Sequence, residues 1–288
     1  MPFISTVTGS FTAGRRANAF SSPPAAWSPS TDISPAIWLD ASDSGYYTTN
    51  VPGGNTVTGV VDKAGNATVT VTGLPDKANT LDGKTVFTFT SGEDLTTNEV
   101  AQASSGNHWA IGVMLWSQIN DTQDSFWSLD TTGSPKRCYA VSASNASAFD
   151  GELDLDALSN PNRISSTIGN AQDFDSGIAQ NTWVIIGVIF NKSGNQIAVR
   201  VDGDNAFTPV NDYDNSLQTN MDLRIFRNRS NERMQGRMAE FFTVADIPGT
   251  GGTDISDVEK AEGYLAHKWA LTGNLPLSHP YKSSAPTG

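Results

Sequence analysis

Cysteine is nearly absent from this sequence, and histidine is scarce. Cys138 stands alone among 288 residues, so no internal disulfide can form and a small scaffold stapled by disulfides is excluded. It lies in the strand-like run RCYAVSA without a neighbouring His or Asn, which favours a buried thiol over a nucleophile. His108, His267 and His279 form no closely spaced pair, so the sequence offers no zinc motif.

Long hydrophobic runs are also missing. No stretch approaches the ~20 apolar residues that a membrane-spanning helix needs, so we expect no membrane insertion. The first residues, MPFISTVTGSFTAGRR, lack the basic start and apolar core of an ordinary signal peptide. These absences predict a protein that is made in the cytoplasm and reaches another place only as part of an assembly.

Basic residues are outnumbered by acidic ones. The chain has 18 Lys and Arg against 30 Asp and Glu, a formal charge of −12. Such a surface repels phosphate groups, which disfavours nucleic acid or an anionic membrane as a partner. Residues 1–31 contain Arg15 and Arg16 and no acid, so the remainder carries −14 and the two parts of the chain have opposite charge.

The sequence is rich in turn residues and in short segments where apolar and polar residues alternate. The 26 Gly and 14 Pro suit many turns between short strands. Residues 57–61, 67–72 and 85–90 alternate apolar residues with Thr, as half-buried antiparallel strands do. The longer apolar runs at 108–116 and 183–190 predict central strands buried on both faces, and residues 202–205 predict a hairpin turn. The fold class is therefore all-β, a two-sheet antiparallel sandwich.

One helix is predicted near the C-terminus, over about 254–270. Its apolar residues recur at spacings of three and four and form a single stripe that must be buried: Ile255, Val258, Ala261, Leu265 and Trp269. Thr253 or Asp254 can cap its start, and Gly273 and Pro276 are expected to stop it.

The two ends of the body carry a family resemblance. GYLAHKWALTGNLPLSHPYK, which contains the end of the helix, and PAIWLDASD at 35–43 resemble the ends of concanavalin A-like, laminin-G-like jelly-roll domains of bacterial and phage proteins. The resemblance covers roughly residues 35–281 and implies a jelly-roll fold with one C-terminal helix. It concerns the fold more than the function.

The N-terminal segment, residues 1–34, is predicted to be an arm and linker, ahead of a domain at 35–288. It resembles the short Gly-Arg-containing N-termini that attach some tailed-phage virion proteins to the particle, which implies a decoration or fibre protein. Apolar burial and strand addition would attach it to a capsid or tail protein, with the arginines contacting acidic surface. The attachment residues are Phe3, Ile4, Val7, Phe11, Arg15 and Arg16.

A set of alternating acids offers the sharpest alternative. Glu152, Asp154 and Asp156 resemble the E-x-D-x-E active strand of laminarinase-like hydrolases, in which paired carboxylates act as nucleophile and acid/base. The last position departs from that pattern, because Asp is one methylene shorter than Glu and misplaces the acid/base group. We therefore expect no enzyme activity and keep glycoside hydrolysis as an alternative.

Loop acids and aromatic residues are the candidates for binding a metal ion or a glycan. Laminin-G-like domains often hold calcium, and Asp40, Asp43, Asp202 and Asp204 lie in predicted loops with suitable oxygen ligands. Asp in a turn also commonly caps its own backbone, so we expect no cofactor and keep calcium as an alternative. The candidate contacts for a glycan, on a host surface for example, are Tyr46, Tyr47, Trp116 and Trp127, although core packing explains most Trp residues in a sandwich.

Arginine is concentrated in one stretch. Five of the ten arginines fall within fourteen residues: Arg224, Arg227, Arg229, Arg233 and Arg237. Arg is favoured at interfaces, so this patch predicts self-association of an acidic body, with a solvated hairpin as the equally weighted alternative. Displayed virion modules are often trimers, and we expect a trimer here.

These features favour a non-enzymatic structural protein on the surface of a phage-like particle. Its arm would attach it, and its lectin-like domain would face outward. A free carbohydrate-binding module is the second interpretation, and a glycoside hydrolase is the third.

Overall fold

The structure of the protein, a computed structural model, describes residues 25–98, 100–101, 108–118, 124–130, 137–143, 152–156, 174–175, 178–191, 196–207, 220–227, 233–245 and 254–288. The six predicted attachment residues and Arg229 lie outside these ranges. Within them, no helix has both the length and the hydrophobicity to cross a bilayer.

The elements follow the order that the turn and strand patterns predict. They are α1 (Pro29–Asp32), β1 (Ile37–Asp40), β2 (Tyr47–Thr49), β3 (Val57–Val60), β4 (Val69–Thr72), β5 (Thr80–Leu81), β6 (Lys84–Thr85), β7 (Phe87–Phe89), β8 (Asp94–Thr97), β9 (Val100–Ala101), β10 (His108–Gln118), β11 (Asp124–Asp130), β12 (Arg137–Ala143), β13 (Glu152–Asp156), β14 (Phe174–Asp175), β15 (Val184–Asn191), β16 (Gln196–Val201), β17 (Asp204–Phe207), β18 (Asn220–Ile225), β19 (Gln235–Val244) and α2 (Ser256–Lys268). A short 3-10 turn at Ser44–Tyr46 precedes β2.

Two large antiparallel sheets form the body. The first has the order β1-β19-β10-β15-β16-β17, and β7 also pairs with β19. The second has the order β14-β13-β12-β11-β18-β8-β4, and β9 also pairs with β18. Buried residues of both sheets pack into one cluster, so the predicted all-β, two-sheet sandwich with one C-terminal helix is confirmed.

The central strands of the first sheet are buried on both faces. Along β10, Ala110 and Met114 belong to the cluster between the sheets, which we call the intersheet layer. Trp109 and Ile111 belong to a second cluster that packs under α2, which we call the helix layer. Because alternate residues of a strand point to opposite faces, this division explains why the sequence of β10 is an unbroken apolar run.

The free edge of β1 is covered by the loop that follows β3. Asp62, which is 2% exposed, accepts hydrogen bonds from the backbone N–H groups of Trp38, Ala64, Asn66 and Ala67. The backbone N–H of Lys63 then donates to the carbonyl oxygen of Trp38 at 2.8 Å. The carboxylate thus folds the loop onto β1 and protects an edge that could otherwise pair with another chain.

A β-bulge in β19 decides which face carries Glu240. In the ladder with β10, Val113 pairs with Glu240 and Met114 with Met238, so Ala239 is left without a partner. Met238 packs in the intersheet layer, whereas Ala239 packs in the helix layer. The extra residue breaks the alternation and turns Glu240 toward α2, as bulges do when they re-aim a side chain.

Helix α2 confirms the predicted apolar stripe and corrects its ends. Val258, Leu265 and Trp269 are at most 1% exposed and pack in the helix layer. The helix begins at Ser256, whose N–H donates to Asp254 Oδ1 at 2.9 Å, although the N-cap itself is Ile255. It ends at Lys268, two residues before the predicted end at about 270, because Ala270 turns left-handed at φ 56° and Leu271 N–H donates to the Ala266 carbonyl.

The described chain is packed before residue 35. Gly288 N–H donates to the Ala25 carbonyl at 3.0 Å, and Trp27 N–H donates to the Pro286 carbonyl at 3.3 Å. The Trp27 ring is 3% exposed and lies 5.5 Å from the ring of Tyr264. Residues 25–34 therefore pack with the C-terminal segment and α2, whereas the sequence suggested a linker that runs to residue 34.

Candidate functional site

Within the described residues, a cluster of ionisable groups surrounds Glu240 beneath α2. Its side chain is fully buried and accepts four hydrogen bonds. Oε1 accepts from Trp38 Nε1 at 2.8 Å and from the Tyr264 hydroxyl at 3.0 Å. Oε2 accepts from Trp269 Nε1 at 2.9 Å and from Lys268 Nζ at 2.7 Å. These four donors offset the desolvation of a carboxylate that burial alone would strongly destabilise.

Asp40 joins the same cluster at the end of β1, directly opposite Glu240 in the ladder. Its Oδ2 accepts from Lys268 Nζ at 2.8 Å and from Lys63 Nζ at 2.9 Å. Lys63 Nζ also lies 4.1 Å above the Trp38 ring. We call this set the clasp cluster, and it comprises Trp38, Asp40, Lys63, Glu240, Tyr264, Lys268 and Trp269.

The carboxyl groups of the clasp cluster differ in their electrostatics. Burial raises the pKa of Glu240, and the Lys268 ammonium offsets this only in part. Burial also acts to raise the pKa of Asp40, but Lys268, Ser42 and Lys63 outweigh it and hold that pKa below its usual value. The pKa of Tyr264 is raised by burial and by Glu240, so its hydroxyl remains a donor. The same surroundings therefore shift the pKa values of two neighbouring carboxyl groups in opposite directions.

A second buried network links α2 to the C-terminal segment. Glu262 accepts from Arg200 Nε at 2.6 Å and Arg200 Nη2 at 2.9 Å, and its Oε2 lies 3.1 Å from His279 Nε2. The N–H of Tyr281 donates to His279 Nδ1 at 3.2 Å, so Nε2 is the protonated nitrogen and donates to Glu262. A Cβ at Gly203 would lie 2.7 Å from the His279 ring, which explains glycine in this turn.

The four predicted calcium ligands do not form one cluster. Asp40 and Asp43 do come together, but they share the Lys63 ammonium at 2.9 Å each. Asp202 accepts from the Ile185 N–H at 2.8 Å and turns the β16–β17 hairpin, with Asp204 after it. Among the described residues, no group of three or more His, Cys, Asp or Glu could hold a metal ion. Calcium binding stays a prediction.

The predicted glycan contacts divide into surface and core residues. Trp116 and Trp127 are 5% and 0% exposed and pack in the intersheet layer, so the expectation that they form an exposed platform is wrong. Tyr46 is half-buried, with Lys63 Nζ 5.1 Å from its ring centre. Tyr47 is also half-buried and meets the ring of Phe87 edge-on at 5.5 Å. Of the four, Tyr46 and Tyr47 alone reach the surface.

Several arginines of the predicted interface lie close to carboxylates of the same chain. Arg227 and Arg233 form an isolated bridge, and both approach the buried carboxylate of Asp94, at 3.6 Å and 3.1 Å. Arg224 Nη2 lies 4.0 Å from Asp222. Arg237 is half-buried on β19. Self-association through this patch stays a prediction, and at least two of its arginines also hold β8 to the end of β18.

The alternating acids of the hydrolase alternative lie on β13. This strand pairs with β12, with Asp154 opposite Ser142 and Asp156 opposite Ala140. It also pairs with β14, so it is not at the edge of the sheet. The side chains that the active-strand interpretation concerns lie outside the described residues, and the hydrolase alternative stays a prediction.

The sequence reasoning missed Glu240, Glu262, Arg200 and Lys63 as members of buried networks. A signal was present for two of them, because Glu240 stands inside the apolar run RMAEFFTVA and Arg200 inside QIAVRV. A single charge in such a strand must find a partner when the strand is buried on both faces. That partner cannot be named from the strand alone.

Comparisons with known proteins identify the fold and no family. No family model matches the chain, and no curated protein sequence is similar to it. The receptor-binding domain of botulinum neurotoxin D superposes with a TM-score of 0.52 at 16% identity, over 80% of this chain and 53% of that chain. The serotype D ligand-binding domain, solved in complex with N-acetylneuraminic acid, gives 0.51 at 14% identity, over 82% and 53%.

A third structure similar to the chain is domain 4 of AbnA, an extracellular arabinanase of Geobacillus stearothermophilus, solved with arabinotriose. Its TM-score is 0.46 at 13% identity, over 72% of this chain and 92% of that chain. The chain spans about half the length of the toxin chains. At these identities the toxin structures show a shared β-sandwich fold and nothing further.

Proposed function

We propose that the protein is a non-enzymatic structural component of a phage-like virion, which its N-terminal arm attaches and whose sandwich domain binds glycans. The observation that carries the binding role is the sandwich fold shared with receptor-binding domains, one of them solved with N-acetylneuraminic acid. The observation that supports the structural role is the N-terminal arm, whose composition and charge differ from those of the body.

The partners of the buried acids support a non-enzymatic domain. Glu240, Glu262, Asp94 and Asp62 are all nearly inaccessible, and their described partners are groups of the same chain. A general acid or base that acts on a bound substrate must reach the substrate's proton, and these buried carboxylates have no access to a substrate from solvent. Their arrangement serves the fold.

The surface beside Tyr46 is the proposed glycan contact. Its ring is accessible in part, and the neighbouring Asp43 carboxylate is 40% exposed and can accept hydrogen bonds from sugar hydroxyls. The charge of −14 on the body favours neutral over acidic glycans. This surface is formed by the turn before β2 and the loop that covers β1.

The contacts of residues 25 and 27 support an arm that ends at residue 24. Ala25 and Trp27 are hydrogen-bonded to the C-terminal segment, and Trp27 is buried against α2. Residues 2–24 can therefore be removed without losing any described contact, whereas removal up to residue 34 would expose the Trp27 site. Attachment would use apolar burial by the arm, with Arg15 and Arg16 facing an acidic partner.

Attachment is tested by particle incorporation of a chain that lacks residues 2–24. We expect a folded protein that no longer joins particles, and a variant with both arginines changed to Glu, Arg15→Glu and Arg16→Glu, should join poorly. Full incorporation of the shortened chain would contradict the attachment role and leave the free lectin as the better interpretation.

Glycan binding is tested on an array with the full chain and two variants. Tyr46→Ala should lose binding because the ring is removed, and Tyr46→Phe should retain most of it because stacking remains. No retained glycan on an array of neutral and acidic sugars would contradict the lectin role. Release of reducing sugar from β-glucans, lost in Glu152→Gln, would instead favour the hydrolase.

A further inference from the structure

Three side chains of the clasp cluster have the arrangement needed to form a covalent cross-link. Lys268 Nζ lies 2.8 Å from Asp40 Oδ2 and 2.7 Å from Glu240 Oε2. Asp40 is at the end of β1, Glu240 is opposite it on β19, and Lys268 is the last residue of α2. We propose that Lys268 and Asp40 condense to an intramolecular isopeptide bond, with Glu240 carrying the proton.

The surroundings of these groups exclude most water. The side chains of Asp40 and Glu240 are 3% and 0% exposed, and that of Lys268 is 18% exposed. The Lys268 ammonium lies 5.4 Å from the ring centre of Trp269 and 5.5 Å from that of Tyr264. The reacting forms are the neutral amine and acid, so the reaction starts from the ionised Lys268–Asp40 pair by proton transfer within this poorly hydrated site. The poor hydration also protects the product from hydrolysis.

The reaction is a balanced condensation that needs no external reagent. Glu240 takes one proton from the Lys268 ammonium and passes it to an oxygen of the Asp40 carboxylate. The neutral Nζ attacks the Asp40 Cγ, a second proton moves from the nitrogen to the departing oxygen, and that carbon–oxygen bond breaks. One water leaves, Nζ keeps its third proton as the amide N–H, and Glu240 ends as it began.

Glu240 suits the role of proton carrier because it is held in place and is easily protonated. Trp38, Tyr264 and Trp269 donate to its two oxygens, so the oxygen that faces Lys268 cannot rotate away. Its Oε2 lies 2.7 Å from Lys268 Nζ, within reach of the proton, and burial raises its pKa in the direction that favours accepting it. Fixed contact of two reacting groups gives effective concentrations of roughly 10⁵ M or more in favourable cases.

Lys63 is the competing amine, and its surroundings differ. Its Nζ lies 2.9 Å from Asp40 and 2.9 Å from Asp43. Asp43 is 40% exposed, and Lys63 has no contact with Glu240 among its described partners. The Lys63 ammonium therefore donates to Asp40 and stabilises the negative charge that develops on its oxygens, while Lys268 is the nucleophile.

The bond would connect residues 228 positions apart in sequence. It would tie the last turn of α2 to the first strand of the body and so enclose nearly the whole described domain in one covalent loop. A loop of this length restricts the unfolded chain strongly, as a long-range disulfide does. The cross-link would help the domain to resist unfolding under mechanical force, in a chain whose single cysteine cannot form an internal disulfide.

The test is the intact mass of the full chain, measured in denaturant after prolonged incubation of the folded protein. We expect a mass lower than that of the sequence by one water molecule. Trypsin should then fail to cut after Lys268, and a branched peptide should join residues 17–63 to residues 261–282.

Matched variants separate the cross-link from other losses of water. Lys268→Arg keeps the positive charge and should restore the full mass, whereas Lys260→Arg on the same helix should keep the deficit. Glu240→Gln should slow the loss of water. Succinimide formation at Asp-Gly, as at Asp202-Gly203, gives the same mass change but persists in Lys268→Arg.

The folded protein with its full sequence mass after incubation would overturn the proposal. So would a deficit that persists in Lys268→Arg or that maps to an Asp-Gly sequence. A deficit abolished by Lys63→Arg and retained by Lys268→Arg would also overturn it, because the nucleophile would be the other lysine. Since each lysine variant preserves a positive charge at its position, loss of folding does not decide the result.

Discussion

The two faces of the first sheet are buried by different chemistry. The intersheet layer is made of apolar side chains such as Phe89, Trp127 and Phe241, which pack ring against ring. The helix layer contains apolar residues too, but the charged groups Glu240 and Glu262 are buried within it. The first sheet thus lies between two different layers. Apolar packing holds the intersheet layer, whereas the helix layer is held by packing together with hydrogen bonds and ion pairs.

This difference reflects what each layer must specify. The chain crosses between the two sheets several times, as between β10 and β11 and between β18 and β19, so the chain fixes their relative position, and apolar burial then suffices to hold them. A single helix on a flat sheet can slide or rotate at little loss of apolar area. The bonds of Trp269, Tyr264 and Lys268 to Glu240 fix one position, because other positions leave a buried carboxylate unpaired.

The largest effect is expected from removing the acceptor at the centre of the helix layer. Glu240→Ala leaves two indole N–H groups, one hydroxyl and Lys268 without their acceptor, so the free energy of unfolding should fall by about 3–5 kcal/mol. Urea unfolding measures it. A change near zero would mean that the directed bonds do not hold the helix.

A matched pair of substitutions compares the two layers directly. Trp269 Nε1 donates to Glu240 at 2.9 Å, whereas Trp127 Nε1 has no hydrogen-bond partner among the described residues. Trp269→Phe should therefore lower the free energy of unfolding by about 1.5–3 kcal/mol beyond its packing loss. Trp127→Phe loses packing alone, about 1.5 kcal/mol or less. Equal losses measured by urea unfolding would contradict the distinction.

The free energy of unfolding should depend on pH through Asp202, which lies at the rim of the helix layer. Burial raises the pKa of Asp202 above its ordinary value of 3.8, and bonds from Ile185 and Asn274 offset this in part. The folded protein then binds this proton more tightly than the unfolded chain, so the contribution of Asp202 to stability is lost as the pH rises from 3.8 through the folded pKa.

Asp202→Asn removes that dependence and retains a residue that tolerates the left-handed backbone, φ 51°. The stability of the variant relative to the unchanged protein should rise with pH above 3.8 and then level off. Urea unfolding over a pH series measures the difference. A difference that shrinks with rising pH would reverse the assigned sign.

The smallest effect is expected outside both layers. Lys84 and Asp82 form a pair at 2.7 Å, but their side chains are 35% and 50% exposed. Lys84→Ala should change the free energy of unfolding by about 0–1 kcal/mol, because solvent screens the pair. A loss as large as that of Glu240→Ala would show that burial is not what separates the two classes of bond.

Sequence patterns found the elements well and their contacts poorly. The runs at 108–116 and 183–190 identified the central strands β10 and β15, because burial on both faces demands continuous apolar residues. The helix was predicted from its stripe to within two residues at each end, but the residue that ends it, the left-handed Ala270, was not identified because it carries no glycine signal. The prediction that Trp116 and Trp127 are exposed aromatics is wrong, because composition does not tell which face of a strand is covered.

The candidate site shows the same limit. The sequence offered Asp40 as a candidate ligand for the calcium alternative, and the structure pairs it with two lysine ammonium groups, from residues 23 and 228 positions away. Glu240 faces the helix because of a one-residue bulge at Ala239, which no spacing rule predicts.

By itself, then, the sequence determined the strands, the hairpin at Asp202-Gly203, the apolar face of α2 and the two-sheet architecture, because these depend on local period and turn chemistry. The tertiary structure decided which charges are buried and paired. Those pairs join residues distant in the chain, and their energy depends on burial and on distances that exist only after the sheet and the helix have packed.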